Sequence, residues 1–390
     1  MSTLSTTYRW DIFCRVIDNY GDIGVCWRLA RQLSREYGQQ VRLWLDDLHA
    51  LQRLWPQHPI RSQHQVEGIY VCQWGEHFPS NTEPADIVIE AFACNIPDTY
   101  LTAMATLKHT GKMPLWINLE YLSAESWVDD CHNMTSIHPA TGLRKTFFFP
   151  GFSPRTGGLL REQSLPAERD SFNANAWLRQ LGISPWKNAL RISLFSYENP
   201  GIAQLLDCWR HSSTPIHCLV PNGKVLTSLQ EILGAPLLPG QPQQLGSLRL
   251  EAMPFVSQTE YDRLLWSSDL NVVRGEDSFV RAQWAAKPFL WHIYPQEEAA
   301  HIAKLDAFLA RYTRDMPPEL AQSLAGLWHA WNQPEPGGNI ALYWHKCLVH
   351  REPWQAHSQG WYQMLLVQPD LVSQLVALAK NTTETRQTTV

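Results

Sequence analysis

Much that would assign this chain at once is missing. Its eight cysteines include no CxxC pair, which argues against a zinc ribbon. No apolar run approaches the roughly 20 residues that cross a bilayer, so no membrane association is expected. The first residues lack the charged-then-apolar pattern of a secretory signal. Charge of one sign is not in excess: 32 Lys and Arg face 37 Asp and Glu, a formal net charge of −5. A nucleic-acid binder would usually be basic, so no nucleic-acid partner is expected. There is no GxSxG elbow for a Ser-His-Asp hydrolase, no GxGxxG and no Walker lysine. No two-His-plus-acid spacing stands out, so no required metal is expected. No internal repeat of fixed period occurs. Together these absences point to the cytoplasm, with thiols kept reduced.

What is present fits a globular enzyme. Hydrophobic residues make up 44% and charged residues 18% of the chain, a balance that forms cores rather than disorder. At 390 residues the chain exceeds what one core of about 250–300 residues holds. Strand-like runs alternate with helical spacing, as at 8–17, 25–38 and 41–45. That βαβ order predicts a parallel sheet. Further strands are expected at 69–74, 85–90, 115–119 and 145–149. A second series starts near Arg191, with strands at 216–220, 248–254, 269–273 and 288–293. The fold class is therefore α/β, two doubly wound domains, expected over 1–170 and 185–390 with a linker between. One helical stretch is expected over 358–378, with a polar, frayed tail after it. Ligands of such sheets bind outside the carboxyl ends of the strands, so the cleft that two such domains would leave is the expected site.

Residues 274–278 read Arg-Gly-Glu-Asp-Ser and lie between a strand and a helix. A helix N-terminus offers free N–H groups and a positive dipole end, which suit a phosphate. Arg274 can add a bidentate contact, Ser278 a hydroxyl, and Gly275 close backbone approach. Capping of the helix by Glu276, Asp277 or Ser278 is the alternative, but capping does not explain an Arg at the strand end. Across the chain, residues 18–24 read Asp-Asn-Tyr-Gly-Asp-Ile-Gly after the first strand. Asp18 and Asp22 suit general-base work or a cationic acceptor; an N-cap by Asp22 is the alternative. Phe195, Tyr197, Phe255 and Tyr294 sit at or just after strand ends and suit stacking on a base, with Gln258 to read its edge. Ordinary core packing is the alternative for each. Glu120 and Tyr121 follow another strand and are candidate acceptor contacts, with a helix cap the equal alternative for Glu120.

Three segments carry a resemblance: WDIFCRVIDNYGDIGVCWRLARQL from Trp10, LEYLSAESW from Leu119 and RGEDSFVRAQWAAKPFLWHIYPQ from Arg274. They resemble the protein-arginine rhamnosyltransferases that modify bacterial elongation factor P. The resemblance covers nearly the whole chain. It implies a GT-B fold, two Rossmann-like domains facing across a cleft, with the nucleotide-sugar donor mainly on the C-terminal one. It implies dTDP-β-L-rhamnose as donor, an arginine side chain of elongation factor P as acceptor, inversion at the anomeric carbon, and neither cofactor nor metal. By the same resemblance Asp22 is the general base, Asp18 the acid that holds the acceptor guanidinium, and Glu276 a second catalytic acid. Asn19, Tyr20, Gly21, Phe195, Tyr197, Phe255, Gln258, Arg274, Gly275, Asp277, Ser278 and Tyr294 are implied on the donor side. Two other functions fit the residues: a GT-B transferase with another sugar or acceptor, and a nucleotide-sugar-binding protein without activity. The second of these has no need of Asp22 or Glu276.

Overall fold

The first strand, β1 (Arg9–Cys14), is apolar except at Arg9 and Asp11 and is buried from Trp10 onward. Such a run suits a strand covered on both faces. Its alternate residues divide accordingly, with Trp10, Ile12 and Cys14 in one core cluster and Phe13 in another. The computed structural model describes residues 6–18, 21–55, 59–75, 78–110, 112–335 and 338–388. Asn19 and Tyr20, both implied on the donor side, lie outside the described residues.

After β1 come β2 (Gln40–Leu45), β3 (His64–Val66), β4 (Ile69–Gln73), β5 (Ile87–Ala91), β6 (Leu115–Leu119), β7 (Thr135–Ile137) and β8 (Arg144–Phe148). They form one sheet in the order β3-β4-β2-β1-β5-β6-β8-β7. The six inner strands are parallel, and the three-residue β3 and β7 close the edges antiparallel. The second series is β9 (Leu190–Leu194), β10 (Ile216–Val220), β11 (Gln243–Leu245), β12 (Leu248–Ala252), β13 (Leu270–Arg274) and β14 (Phe289–His292). Its order is β11-β12-β10-β9-β13-β14, parallel except for β11.

The chain divides into two compact units, Met1–Gln163 with Gln368–Val390, and Ser164–Val367. Two expectations are corrected here. Residues 164–170, expected in the first domain, belong to the second unit, as does the stretch expected as a linker. The C-terminal segment, expected in the second domain, belongs to the first. The reason is its apolar face: Leu371, Val372, Leu375, Val376 and Ala379 recur at helical spacing and join Trp10, Leu29 and Leu33 in one core cluster. Each large aliphatic side chain so removed from water contributes about 1.5–3 kcal/mol. Asp370 fixes the entry. Its Oδ1 accepts the N–H of Val372 and Ser373 at 3.0 and 3.1 Å, and the amide of Gln32 at 3.1 Å. The helix expected over 358–378 is accordingly two helices, Arg351–Leu366 and Leu371–Thr388, parted around Pro369. The expected frayed tail is helical as far as Thr388.

Candidate active site

In the first unit the candidate residues gather past the carboxyl ends of β1, β5 and β6. The helix after β1 runs Gly21–Tyr37, starting earlier than the apolar spacing from Val25 suggests. Asp22 therefore sits in its first turn and not in a loop. Asp22 does not cap that helix. Its Oδ2 accepts the N–H groups of Ile17 at 2.8 Å and Asp18 at 2.9 Å, upstream of it. Its Oδ1 accepts the hydroxyl of Tyr121 at 3.2 Å. Asp22 is only 3% exposed. Burial pushes its carboxyl above the usual value and the charge of Asp18 adds to this, while the two backbone N–H bonds and the Tyr121 bond oppose it. An elevated carboxyl pKa moves a base toward its working range. Gly21 sets the position of Asp18: a Cβ there would lie 2.6 Å from Asp18 Oδ2. Only glycine lets that carboxylate rest on the helix start. Glu120, past β6, accepts the side-chain amide of Asn118.

In the second unit the parallel register aligns the strand ends. Leu194 of β9 pairs with Val272 of β13, Arg274 with His292 of β14, and Val220 of β10 with Ala252 of β12. Phe195 and Tyr197 follow β9, Phe255 follows β12, and Tyr294 follows β14, so all belong to one edge of the sheet. Arg274, expected in the loop, is the last residue of β13 and is 5% exposed. Its guanidinium carbon lies 4.7 Å from the Phe195 ring centre and 4.5 Å from that of Tyr197. A desolvated cation–π contact of this kind is worth about 2 kcal/mol. Tyr197 in turn meets His292 and Tyr294 edge-on at 5.2 and 5.6 Å. Phe255 is 44% exposed and stacks on no other described ring.

Gly275 turns the chain from strand to helix at φ +58°, a conformation glycine adopts without penalty. Its N–H donates to His292 O at 3.1 Å, and its carbonyl accepts Trp291 Nε1 at 2.8 Å. Glu276 takes the N-cap position of helix Asp277–Ala285, yet its side chain makes no capping hydrogen bond. The capping alternative therefore does not account for it. Two expectations change. Ser278 does not offer its hydroxyl outward: after the left-handed turn it folds back over Arg274, accepting that residue's N–H at 3.0 Å and donating to its carbonyl. Gln258 begins helix Gln258–Ser267, behind a capping box of Ser257 and Glu260. Its side-chain amide donates to Asp277 Oδ2 at 3.1 Å. Ser278 and Gln258 thus shape the site by holding Arg274 and Asp277.

Two residues gain importance that spacing alone could not supply. His292 is 5% exposed, and burial, then the neighbouring charges of Arg274 and His301, hold its pKa down to about 3. It is a neutral imidazole beside the arginine. Its only sequence signal was its place at the end of the strand next to β13. The other is Phe92, stacked on Tyr121 with ring centres 4.3 Å apart and planes at 15°; no local pattern marks it. Among the described residues, no group of three or more His, Cys, Asp or Glu is placed to hold a metal ion. No helix among them is long and apolar enough to cross a membrane.

Comparison with known proteins gives the family of this chain. Residues 10–380 match the family model described as elongation factor P (EF-P) rhamnosyltransferase EarP. A protein-arginine rhamnosyltransferase of Pseudomonas putida is 48% identical over 95% of this chain and 98% of its own length. One of Pseudomonas aeruginosa is 46% identical, over 94% and 97%. A structure solved for EarP-mediated arginine glycosylation of translation elongation factor EF-P superposes with a TM-score of 0.68 at 37% identity, covering 96% of this chain and 99% of that one. The spinosyn forosaminyltransferase SpnP, at 10% identity and a TM-score of 0.51, shares the fold. The fold is thus α/β of the GT-B kind, with two Rossmann-like units. By its match over nearly its whole length, the chain belongs to the EF-P rhamnosyltransferase family EarP and is a glycosyltransferase.

Proposed function

We propose that this chain transfers L-rhamnose from dTDP-β-L-rhamnose to an arginine side chain of elongation factor P, in the cytoplasm, with inversion and without a metal. The observation that carries this is the Asp22 carboxylate, buried and anchored through Oδ2 with Oδ1 held by one side chain. The activities for which the relatives are named support the arginine and EF-P as acceptor. The donor follows from the sequence resemblance.

The chemistry needs a base, a charge clamp and an anion site. A guanidinium has a pKa above about 12 and is a poor nucleophile until a proton leaves. Asp22 takes that proton as the guanidinium nitrogen bonds to the anomeric carbon from the face opposite the leaving group. The anomeric C–O bond breaks with its electron pair going to the dTDP oxygen. One displacement inverts the configuration. Asp18 localises the guanidinium charge, and Glu276 serves as the second acid. Arg274 and the start of helix Asp277–Ala285 offset the charge growing on the diphosphate, the part a metal would otherwise play. Gly275, Asp277 and Ser278 shape that anion site. Gly21 is on the donor side by the sequence resemblance, Gln258 holds Asp277, and Phe195, Tyr197, Phe255 and Tyr294 serve the thymidine.

Incubation with dTDP-β-L-rhamnose and folded elongation factor P, followed by intact mass, is expected to add one deoxyhexose to the acceptor, with or without EDTA. No mass gain on a folded acceptor overturns the reading. A gain lost with EDTA overturns its metal-free part.

A further inference from the structure

We propose that Tyr121, fixed by Phe92, is a positioning residue that presents Oδ1 of Asp22 as the reactive oxygen. This rests on Asp22 being the base. The two carboxylate oxygens are unequal. Oδ2 already accepts two backbone N–H groups, from Ile17 and Asp18. A carboxylate oxygen with two such donors is a weak base, because the bonds stabilise its charge. Oδ1 accepts only the Tyr121 hydroxyl among the described residues. It is therefore the oxygen left for a guanidinium proton, and the tyrosine fixes its direction.

The backbone around Phe92 supports this. Phe92 and Ala93 have φ of +57° and +51°, and Cys94 N–H closes the turn onto Ala91 O at 3.2 Å. Asn and Gly enter such a turn readily and a bulky aromatic does not. An outlier of this sort persists only where its surroundings determine it. They do so here. The Phe92 N–H donates to Leu119 O at 2.7 Å and the Cys94 thiol to Phe13 O at 3.3 Å. Asn95 N–H donates to Glu90 Oε1 at 3.1 Å. Glu90 is itself buried, and its Oε2 accepts Trp116 Nε1 and Lys145 Nζ at 3.1 and 3.2 Å. The strained turn delivers the Phe92 ring flat against Tyr121. β5 and β6 thereby converge on one oxygen of a residue that follows β1.

The test separates the hydroxyl from the ring. Tyr121→Phe keeps the stack and removes the bond to Oδ1. Among the described residues, the groups facing Asp22 are Asp18 in the preceding loop, Cys14 at the end of β1 and Tyr121 past β6. Asp18 raises the Asp22 carboxyl and Tyr121 lowers it, so losing the hydroxyl raises it further. The acid limb of kcat/KM is expected to move up by roughly one pH unit, the size of a charge-assisted bond, and kcat to fall about tenfold. The dTDP affinity is expected to be unchanged. Phe92→Leu, which keeps the hydroxyl and frees its ring, is expected to lower kcat with little change in KM. An unmoved acid limb and kcat in folded Tyr121→Phe overturn the proposal. Carbon-13 titration of the Asp22 carboxyl reads the same bond without any acceptor. If the wild-type enzyme transfers nothing, the functional reading fails, while an equal Asp22 midpoint in wild type and Tyr121→Phe separately overturns the bond.

Discussion

The guanidinium of Arg274 lies 4.5 Å from the ring centre of Tyr197. The ring centre of Phe195 lies 4.7 Å from it. The arginine is the last residue of β13, its N–H is held by Ser278, and the next residue turns left-handed. Its plane is thus fixed before any ligand arrives. A preorganised cation loses little entropy on meeting a diphosphate.

Arg274→Lys retains the charge and loses both the planar fork and the flat face that meets the Phe195 and Tyr197 rings. A lysine ammonium cannot make two parallel bonds to phosphate oxygens. Affinity for dTDP, measured by calorimetry, is expected to fall about 10- to 100-fold, with each tenfold step near 1.4 kcal/mol. Affinity within twofold of wild type would remove Arg274 from the diphosphate site.

Asp22→Asn keeps an acceptor for the Ile17 and Asp18 N–H groups, since the amide oxygen can replace Oδ2. The Tyr121 hydroxyl, now facing the NH2 group, can turn to accept. The loop is therefore expected to hold its shape. What is lost is the ability to take a proton. Transfer is expected to drop by at least about 100-fold, the low end of positioned general-base catalysis, with dTDP affinity unchanged. Turnover within tenfold of wild type would mean that another group is the base.

The parallel strands were legible because each is a short apolar run between turn residues, as in β1, β6 and β10. The three-residue edges β3 and β7 were not, since so few residues carry no periodicity. Glycine at position 21 reads as loop punctuation. It instead opens a helix, because the Asp18 side chain occupies the space of a Cβ. Both site loops could be found by their place after a strand and before a helix. The inward turn of Ser278 could not, because it depends on the φ of Gly275. The apolar face of residues 371–379 was visible too. Which unit it covers is a long-range matter, settled by the match of Leu371 and Val376 to the core around Trp10. The stack of Phe92 on Tyr121 is of the same nonlocal kind, and its backbone runs against the preference of its own residue type.

His292 makes stability depend on pH in a predictable direction. In the unfolded chain its imidazole has the ordinary value of 6.5, and in the folded chain burial and Arg274 hold it near 3. Above pH 6.5 both states are neutral and the group has no effect. Below it the unfolded state binds a proton that the folded state refuses, so stability falls as pH falls, down to about pH 3. The slope from this one group is at most about 1.4 kcal/mol per pH unit. His132, His301 and His357 are also lowered by burial and act in the same direction. The comparison is therefore between wild type and His292→Gln, by urea unfolding from pH 4 to 7. The variant is expected to lose stability less steeply below pH 6.5, by up to that slope, and to match the pH trend of wild type above it. Equal slopes in the two proteins would mean that His292 takes up its proton in the fold, with Arg274 beside it.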